Sequence, residues 1–396
     1  MICLDDALRL LQDAIEPTSA ETLPLLDAQG RTLAVPVTAA LTQPPFAASA
    51  MDGYAVRSAD LNGQGIALRL SGESAAGHSS QAGVGHDQAF RISTGAPLPE
   101  GADQVVIQEK CQREGETVIT AEPGRPGANI RKAGVDFSTG DPLLDAGRIL
   151  SPAVIALLTS AGLTKVPARR RPDIGILSTG DELVEIGEPP GPDQIINSLA
   201  PGLDGFIQQW GGQPHYLGIA RDNPLDVRQK LAAAESLDLL VTIGGASVGD
   251  HDHLRKEFSA LGGRLVFEKV AIKPGKPTWF GHLGSTPVLG LPGNPVSAMV
   301  MARLCLKPAM DRFMGRENPA FFHPARLGVD LPANGPRENM IRARHDPVAG
   351  QVAPLDNQDS SALSALVAAN ALIRRPPNAP AASAGDSITF LPLDHE

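Results

Sequence analysis

The fold is decided by the stretch Asp173-Ile-Gly-Ile-Leu-Ser-Thr-Gly-Asp181-Glu182, the pattern of a short buried strand that ends in a polar turn. Three similar strand-to-loop corners follow, at residues 217–224, 238–252 and 287–295. Strands that alternate with helices predict a parallel sheet. Ligands of such sheets bind at the carboxyl ends of the strands, where all four corners fall. The sequence therefore predicts an α/β domain with a binding site at one edge of its sheet.

Two of these corners carry the signals of a helix start. Asn223 precedes Pro224, and Asn294 precedes Pro295. Asparagine caps the first turn of a helix, and proline fits the first helical position because its missing N–H would have no partner there. We predict that helices begin at Pro224 and Pro295.

The regions outside residues 173–312 predict further domains. An amphipathic helix spans residues 4–15, and a second helix begins at Ser151-Pro152 and ends at Gly162. Residues 60–140 and the segment from 321 onward show short strands broken by turns, which indicates two small β-rich domains. The chain of 396 residues is long enough for two to four domains.

Composition excludes several classes of protein. A net charge of −10 argues against a general nucleic-acid or acidic-membrane binder. The three cysteines are far apart, which favours neither a disulfide framework nor a cysteine zinc site. No apolar run approaches the roughly 18 residues of a membrane span, and the N-terminus lacks the features of a signal peptide. We expect a cytoplasmic protein.

The corners also carry charged groups. Asp181-Glu182 and the pair Asp250 and Asp252 would meet at one edge of the sheet, and Mg²⁺ prefers carboxylates together with phosphate oxygens. The alternative is that these acids only complement helix dipoles. Lys273 and Lys276, held by two prolines and a glycine, favour binding of a phosphate or oxyanion over a plain surface loop.

Other patterns in the third corner are weaker. The run Gly244-Gly245-Ala-Ser247-Val-Gly249 would cradle a phosphate or simply form a tight turn, and it matches neither common nucleotide-binding fingerprint. His251 and His253 have a spacing seen in zinc sites but no companion ligands nearby. No nucleophile elbow accompanies Ser178, Thr179 or Ser247, which argues against covalent hydrolysis.

Seven motifs together resemble one family, the molybdopterin molybdenumtransferases, which includes the enzymatic end of gephyrin. They occur in this order: Ser49-Ala-Met-Asp-Gly-Tyr-Ala55, Ser93-Thr-Gly-Ala-Pro-Leu-Pro99, Gly127-Ala-Asn-Ile-Arg131, Leu177-Ser-Thr-Gly-Asp-Glu-Leu183, 244–250, Ala271-Ile-Lys-Pro-Gly-Lys-Pro277 and Leu291-Pro-Gly-Asn-Pro-Val-Ser297. The resemblance covers nearly the whole chain.

The resemblance implies a multidomain α/β plus β fold. A central doubly wound α/β domain, similar to the molybdopterin adenylyltransferases, would span residues 171–316. An inserted β-rich domain would span 44–140, and a C-terminal β-barrel 321–396. An elongated N-terminal dimerisation domain would combine residues 1–43 and 141–170.

The implied activity is insertion of molybdate into adenylylated molybdopterin, with Mg²⁺-dependent hydrolysis that releases AMP and molybdenum cofactor. The implied assembly is a homodimer, with an adenylyltransferase and molybdoenzyme chaperones as further partners, and no nucleic acid or membrane. Such a reaction positions water and neutralises phosphate charge, so it needs no protein nucleophile.

Family roles carry over to matching residues. The implied catalytic set is Asp52, Thr94, Glu182, Asp222, Asp250 and Asp252, of which Glu182, Asp250 and Asp252 would hold the metal. Asp52 and Thr94 would reach over the partner's cleft. The implied substrate and oxyanion set is Arg131, Gly244, Gly245, Ser247, Lys269, Lys273, Lys276, Pro292, Asn294, Pro295, Arg342 and Ser360.

The chain departs from the family pattern at four places, which are Ala47, Val135, Leu199 and Asp359. Asp359 puts an acid where an anion is expected to bind, so the preference for molybdate or tungstate stays open. Two rival functions remain. An adenylyltransferase would lack the Asp52 and Arg131 motifs, and a scaffold would need a long linker and an added domain.

Overall fold

The computed structural model describes residues 1–63, 65–78, 82–245, 253–316 and 322–393. Three of the predicted site residues, Ser247, Asp250 and Asp252, lie outside these ranges, as does His251.

The central domain is built on a six-stranded sheet. Its order is Gln213–Ala220, Asp173–Thr179, Leu239–Ile243, Thr286–Leu291, Trp279–Leu283 and Arg264–Phe267. The first four strands are parallel, which confirms the prediction from the four corners. The last two are antiparallel additions that the sequence pattern did not indicate. Leu239–Ile243 and Thr286–Leu291 are buried at every position, as expected of central strands covered on both faces.

Helices cover both faces of this sheet. They are Leu199–Gln209, Pro224–Ala232, His253–Ala260, Pro295–Met301 and Lys307–Phe313, the last two joined by a π-helical turn at Ala302–Leu306. Asn223 caps its helix as predicted, because its side chain accepts the Asp226 N–H at 2.9 Å. The prediction for Asn294 is wrong in one respect. It occupies the cap position, but its side chain does not accept from the helix and instead donates to Ser360 Oγ at 3.1 Å. Within the described ranges, no helix has the length and apolar character needed to cross a membrane.

The first helix, Leu4–Asp13, packs into the core of the central domain. Leu4, Ala7 and Leu11 are fully buried in the same cluster as the central strands. Ile2 adds a short backbone bridge, since its N–H donates to Lys269 O at 3.0 Å and its carbonyl accepts from Ala271 N at 2.7 Å. The apolar face of this helix therefore packs into the core of the central domain.

The N-terminal domain joins two separate segments of the chain. Ala20–Pro24 pairs with Lys165–Arg169, and Val37–Thr38 pairs with Pro142–Leu144. The helix Pro152–Ser160 covers these strands; Ser151 caps it, and Gly162 ends it at a φ of +84°.

The inserted domain is β-rich, as predicted. Its six-stranded sheet has the order Gln104–Ile107, Gly53–Val56, Gln88–Ile92, Ile66–Ser74, Thr117–Thr120 and Cys111–Glu114. A short pair, Ala48–Ser49 with Ile130–Arg131, lies beside it.

The C-terminal domain is a closed five-stranded barrel. Its order is Glu338–Asp346, Gln351–Pro354, His323–Leu327, Ser387–Pro392 and Ala371–Arg375, and the last strand pairs with the first. A short helix, Leu363–Ala368, precedes the fifth strand in the chain. Ile272–Lys273, from the lysine-containing loop of the central domain, adds to the edge of Glu338–Asn339. This pairing attaches the barrel beside the predicted site.

Candidate active site

A cavity of about 1020 Å³ lies at the carboxyl ends of the four parallel strands. All four corners contribute to its lining, together with the lysine-containing loop and one loop of the barrel. We call this cavity the cleft. The predicted site residues that line it are Glu182, Asp222, Gly244, Gly245, Lys269, Lys276, Pro292, Asn294 and Pro295.

The acidic residues of the first two corners have different roles. Asp181 stabilises the corners, whereas Glu182 and Asp222 line the cleft. Asp181 joins the corners, because its Oδ1 accepts the Asp222 N–H at 3.0 Å. Glu182 folds back over Gly180, which has a φ of +138°, and a Cβ at Gly180 would lie 2.2 Å from Glu182 Oε2. Only glycine therefore permits this turn with the carboxylate in place.

The glycine pair of the third corner allows close approach of neighbouring corners. Gly244 and Gly245 both have positive φ, and a Cβ at Gly244 would lie 2.8 Å from the Thr179 carbonyl oxygen. Gly293 of the fourth corner is next to Gly244, with its added Cβ 3.5 Å from the Gly244 Cα. Small residues at both corners thus form a floor made largely of backbone.

The lysine loop, which we define as residues 269–277, is held by hydrogen bonds within the loop and to Thr278. Thr278 N and Oγ1 both donate to the Gly275 carbonyl, at 3.1 and 2.8 Å, and Val270 N donates to Lys276 O at 3.0 Å. Lys269 and Lys276 line the cleft, whereas the exposed Lys273 does not. Two lysines of one hydrogen-bonded loop therefore line the cleft.

The barrel contributes the loop 357–361. Arg342 is 1% exposed and donates to the carbonyls of Asn357 and Asp359, both at 3.0 Å, so it supports this loop and does not line the cleft. Burial lowers its pKa. Ser360 O accepts from Val296 N at 3.0 Å, which docks the loop on the helix that starts at Pro295.

Asp359 does not point an unpaired carboxylate at the cleft. Its Oδ1 accepts from Ser361 Oγ at 2.7 Å and from Ser361 N at 2.8 Å, and these hydrogen bonds lower its pKa. Ser361, which the sequence did not single out, lines the cleft. Its hydroxyl hydrogen is used within the loop, so its oxygen lone pairs are what it offers to a ligand.

The predicted residues of the inserted domain cluster away from the cleft of their own chain. Asp52, Thr94 and Arg131 are exposed and do not line it. Asp52 Oδ1 accepts the Thr94 N–H at 2.7 Å, and this bond holds the pKa of Asp52 below its ordinary value. Gly53 is required beside them, because a Cβ there would lie 2.0 Å from Val106 O.

The sequence missed a segment that we call the strap, residues 183–197. Leu183, Ile195, Ile196 and Asn197 of the strap line the cleft, as do Ser198 and Leu199 after it. Asn197 is only 4% exposed. The sequence offers one sign of this segment, an asparagine directly after two isoleucines. This sign was not enough to predict a site, because the hydrogen-bond partners of the asparagine are distant in the sequence.

The described residues give only part of a metal site. Asp60, His86 and Asp87 are the one set of three metal-ligand side chains found together in them, and it lies in the inserted domain. His86 Nδ1 is 2.7 Å from Asp60 Oδ1, so hydrogen bonding within the set accounts for it. In the cleft the described residues supply the carboxylates Glu182 and Asp222. A cation there would need further oxygens from substrate phosphates or water.

Models of known protein families match three successive segments of the chain. Residues 2–162 match the model of the MoeA N-terminal region (domain I and II), residues 175–312 that of a probable molybdopterin binding domain, and residues 324–393 that of the MoeA C-terminal region (domain IV). A molybdopterin molybdenumtransferase of Haemophilus influenzae is 35% identical over 404 residues, covering 100% of this chain and 99% of the relative. One of Bacillus subtilis is 33% identical, covering 100% and 95%.

Solved structures give the same result for the fold. The crystal structure of a molybdopterin biosynthesis MoeA protein from Pyrococcus horikoshii OT3 superposes with a TM-score of 0.87 at 29% identity. It covers 99% of this chain and 100% of that one.

Proposed function

The chain belongs to the molybdopterin molybdenumtransferase family, a transferase family of molybdenum cofactor biosynthesis, and we propose that its cleft inserts molybdate into adenylylated molybdopterin and releases AMP. One observation carries the proposal. Two acidic residues (Glu182, Asp222) and two lysines (Lys269, Lys276) line the same cavity at the carboxyl ends of parallel strands. A doubly negative adenylate and an oxyanion need such a site.

In this proposal the lysine loop binds the anions. Lys269 and Lys276 neutralise phosphate or molybdate oxygens, and the hydrogen-bonded turn around Gly275 holds the backbone that carries Lys276. The acids of the first two corners bind the water that attacks the phosphate. A positioned water replaces a protein nucleophile, consistent with the absence of a nucleophile motif.

Mg²⁺ fits the donors that the described residues present. Carboxylate oxygens with room for phosphate oxygens are the ligands that this cation prefers. Glu182 and Asp222 would hold it, with Asp250 and Asp252 as further ligands from the segment outside the described ranges. When bound, the cation would neutralise charge on the phosphate oxygens. Molybdate, by contrast, is a substrate.

We further propose that the active assembly is a homodimer in which Asp52, Thr94 and Arg131 act at the partner's cleft. Support comes from their exposure, from the bond that joins Asp52 to Thr94, and from their separation from the cleft of their own chain. An isologous dimer would bring each inserted domain to the other chain's cleft.

The test is AMP release from adenylylated molybdopterin by purified protein with Mg²⁺, with and without molybdate or tungstate. We expect release that one of the two oxyanions stimulates, with no consumption of ATP. ATP consumption with free molybdopterin would identify an adenylyltransferase instead, and binding without turnover would identify a carrier or scaffold.

Mixing two inactive variants tests the shared site. Asp52→Asn and Glu182→Gln proteins, unfolded and refolded together, would form mixed dimers that contain one intact cleft. Random assembly should restore roughly a quarter of wild-type activity. No recovery in a mixture shown to contain mixed dimers would place Asp52 in the cleft of its own chain, and full activity of the Asp52→Asn protein alone would place it outside the reaction.

A further inference from the structure

Four side chains, two of them from the strap, form one hydrogen-bonded network. Ser178 Oγ donates to Asn197 Oδ1 at 3.1 Å, and Asn197 Nδ2 donates to Tyr216 Oη at 2.8 Å. Tyr216 Oη in turn donates to Glu185, at 2.8 Å from Oε1 and 3.0 Å from Oε2. This hydrogen-bonded network joins the end of a central strand, the strap and the edge strand Gln213–Ala220.

Glu185 determines which atom donates and which accepts in every hydrogen bond of this network. An ionised carboxylate accepts only, so the phenol hydrogen of Tyr216 must point to Glu185. The Tyr216 oxygen must then accept from Asn197, which makes the atom facing it Nδ2 and turns Oδ1 to Ser178. With the amide reversed, Oδ1 and the carboxylate would compete for a single hydrogen.

The protonation state of Tyr216 agrees with this direction. Partial burial, and then the neighbouring Glu185 carboxylate, raise the pKa of the phenol. Tyr216 therefore stays a donor at neutral pH.

Asn197 keeps one amide hydrogen for another partner. Its Nδ2 carries two hydrogens, and among the described residues only Tyr216 accepts one of them. Asn197 is 4% exposed and is one of the residues that line the cleft. A buried donor without an acceptor is costly, and an acceptor atom on a bound ligand removes that cost.

We propose that Asn197 binds the substrate through this amide hydrogen, donating to an acceptor oxygen on a phosphate or on the pterin, and that Tyr216 and Glu185 are positioning residues that set the direction of the donor. The inference rests on the proposed function for the identity of the substrate. It adds to the acids and lysines a neutral contact that depends on hydrogen-bond direction.

The experiment measures KM and kcat for AMP release, and Kd for adenylylated molybdopterin, molybdopterin and AMP, in wild-type protein and four variants. Asn197→Ala should raise KM and Kd by about tenfold, the usual size of one neutral hydrogen bond, with kcat within about twofold. Tyr216→Phe and Glu185→Gln should each raise KM by about threefold, because they leave the donor but free its direction. Asn62→Ala, an exposed asparagine of the inserted domain, is the matched control and should change nothing.

The double variant Asn197→Ala/Tyr216→Phe separates positioning from a general structural effect. If Tyr216 acts through Asn197, the double variant binds no more weakly than Asn197→Ala. Additive losses would overturn the positioning part of the proposal. Should Asn197→Ala not fold, the KM shifts of Tyr216→Phe and Glu185→Gln decide the question, since both changes are at partly exposed side chains.

The ligand series identifies the acceptor. Weaker binding of AMP by Asn197→Ala assigns an acceptor on the adenylyl half of the substrate, and weaker binding of molybdopterin alone assigns one on the molybdopterin half. Unchanged Kd for all three ligands overturns the proposal. If wild-type protein releases no AMP, the proposed function fails, but the Kd series still tests whether Asn197 contacts the bound pterin or nucleotide.

Discussion

The lysine loop and the strap both line the cleft, but they are held in different ways. The lysine loop is fixed by backbone packing, because Gly275 is pressed against Met301 and a Cβ there would lie 2.3 Å from Met301 Cγ. The strap is fixed by side-chain hydrogen bonds and a two-residue strand pair, and Ile195 and Ile196 remain 57% and 46% exposed. A change to the packing of the lysine loop should therefore cost stability, and a change to the hydrogen bonds of the strap should cost affinity.

The largest expected effect is at Gly275. Gly275→Ala adds a methyl group against Met301 at a φ of +110°, and we expect a loss of about 2–4 kcal/mol from strain and overlap together. Gly262→Ala is the control, because its φ is +84° but nothing lies within 4 Å of the added carbon. It should lose only about 1–2 kcal/mol. Thermal unfolding measures both, and equal losses would mean that packing against Met301 does not hold the loop.

Glu182→Gln should leave stability unchanged and slow AMP release by about 10²-fold, because in the proposed reaction the cleft would lose one of its two described carboxylates. Glu235→Gln, at an exposed acid in the turn after the helix Pro224–Ala232, is the control. Wild-type rates in the purified Glu182 variant would remove that carboxylate from the reaction.

The two lysines of one loop sharpen the comparison further. Lys276→Ala should weaken binding of the anionic substrate by about tenfold, since Lys276 lines the cleft. Lys273→Ala, three residues away but outside the lining, should have a smaller effect that high molybdate concentrations partly overcome. A larger effect at Lys273 would show that the bound state reshapes the loop.

The smallest expected effect is the loss of one hydrogen bond of the strap at alkaline pH. Because the folded-state pKa of Tyr216 is raised, the bond to Glu185 contributes fully below pH 10, the ordinary value, and is lost as pH rises through the folded-state pKa. Absorbance of tyrosinate should show one phenol that ionises late in wild-type protein and is missing in Tyr216→Phe. Ionisation of both tyrosines near pH 10 would rule out the bond to Glu185.

The sequence predicted the parts of the site that local patterns encode. Strand patterns that end in glycine, proline and asparagine placed Gly244, Gly245 and Pro295 at one sheet edge, and the structure has them there. Asn294 went wrong because its partner, Ser360, lies 66 residues away and outcompetes the local cap. Asn197 was missed for the same reason, since its side-chain partners, Ser178 and Tyr216, come from other elements.

The periodic spacing of apolar residues was also an incomplete guide to the fold. The spacing of Leu4, Ala7 and Leu11 predicts an apolar face, and the helix is present, but periodicity does not say which core that face joins. Likewise, the short apolar run Trp279–Leu283 does not show by itself that its strand would be antiparallel.

The lysine loop also joins parts of the molecule that are far apart along the chain. Ile2 bonds to Lys269 and Ala271 on one side, Glu338 N donates to Ala271 O at 2.9 Å on the other, and Asp5 pairs with Arg374 at 2.9 Å. Contacts between residues so distant in sequence are slow to form, because the chain loses loop-closure entropy before they stabilise it. We therefore expect the contacts around the lysine loop to be among the last to form when the protein folds.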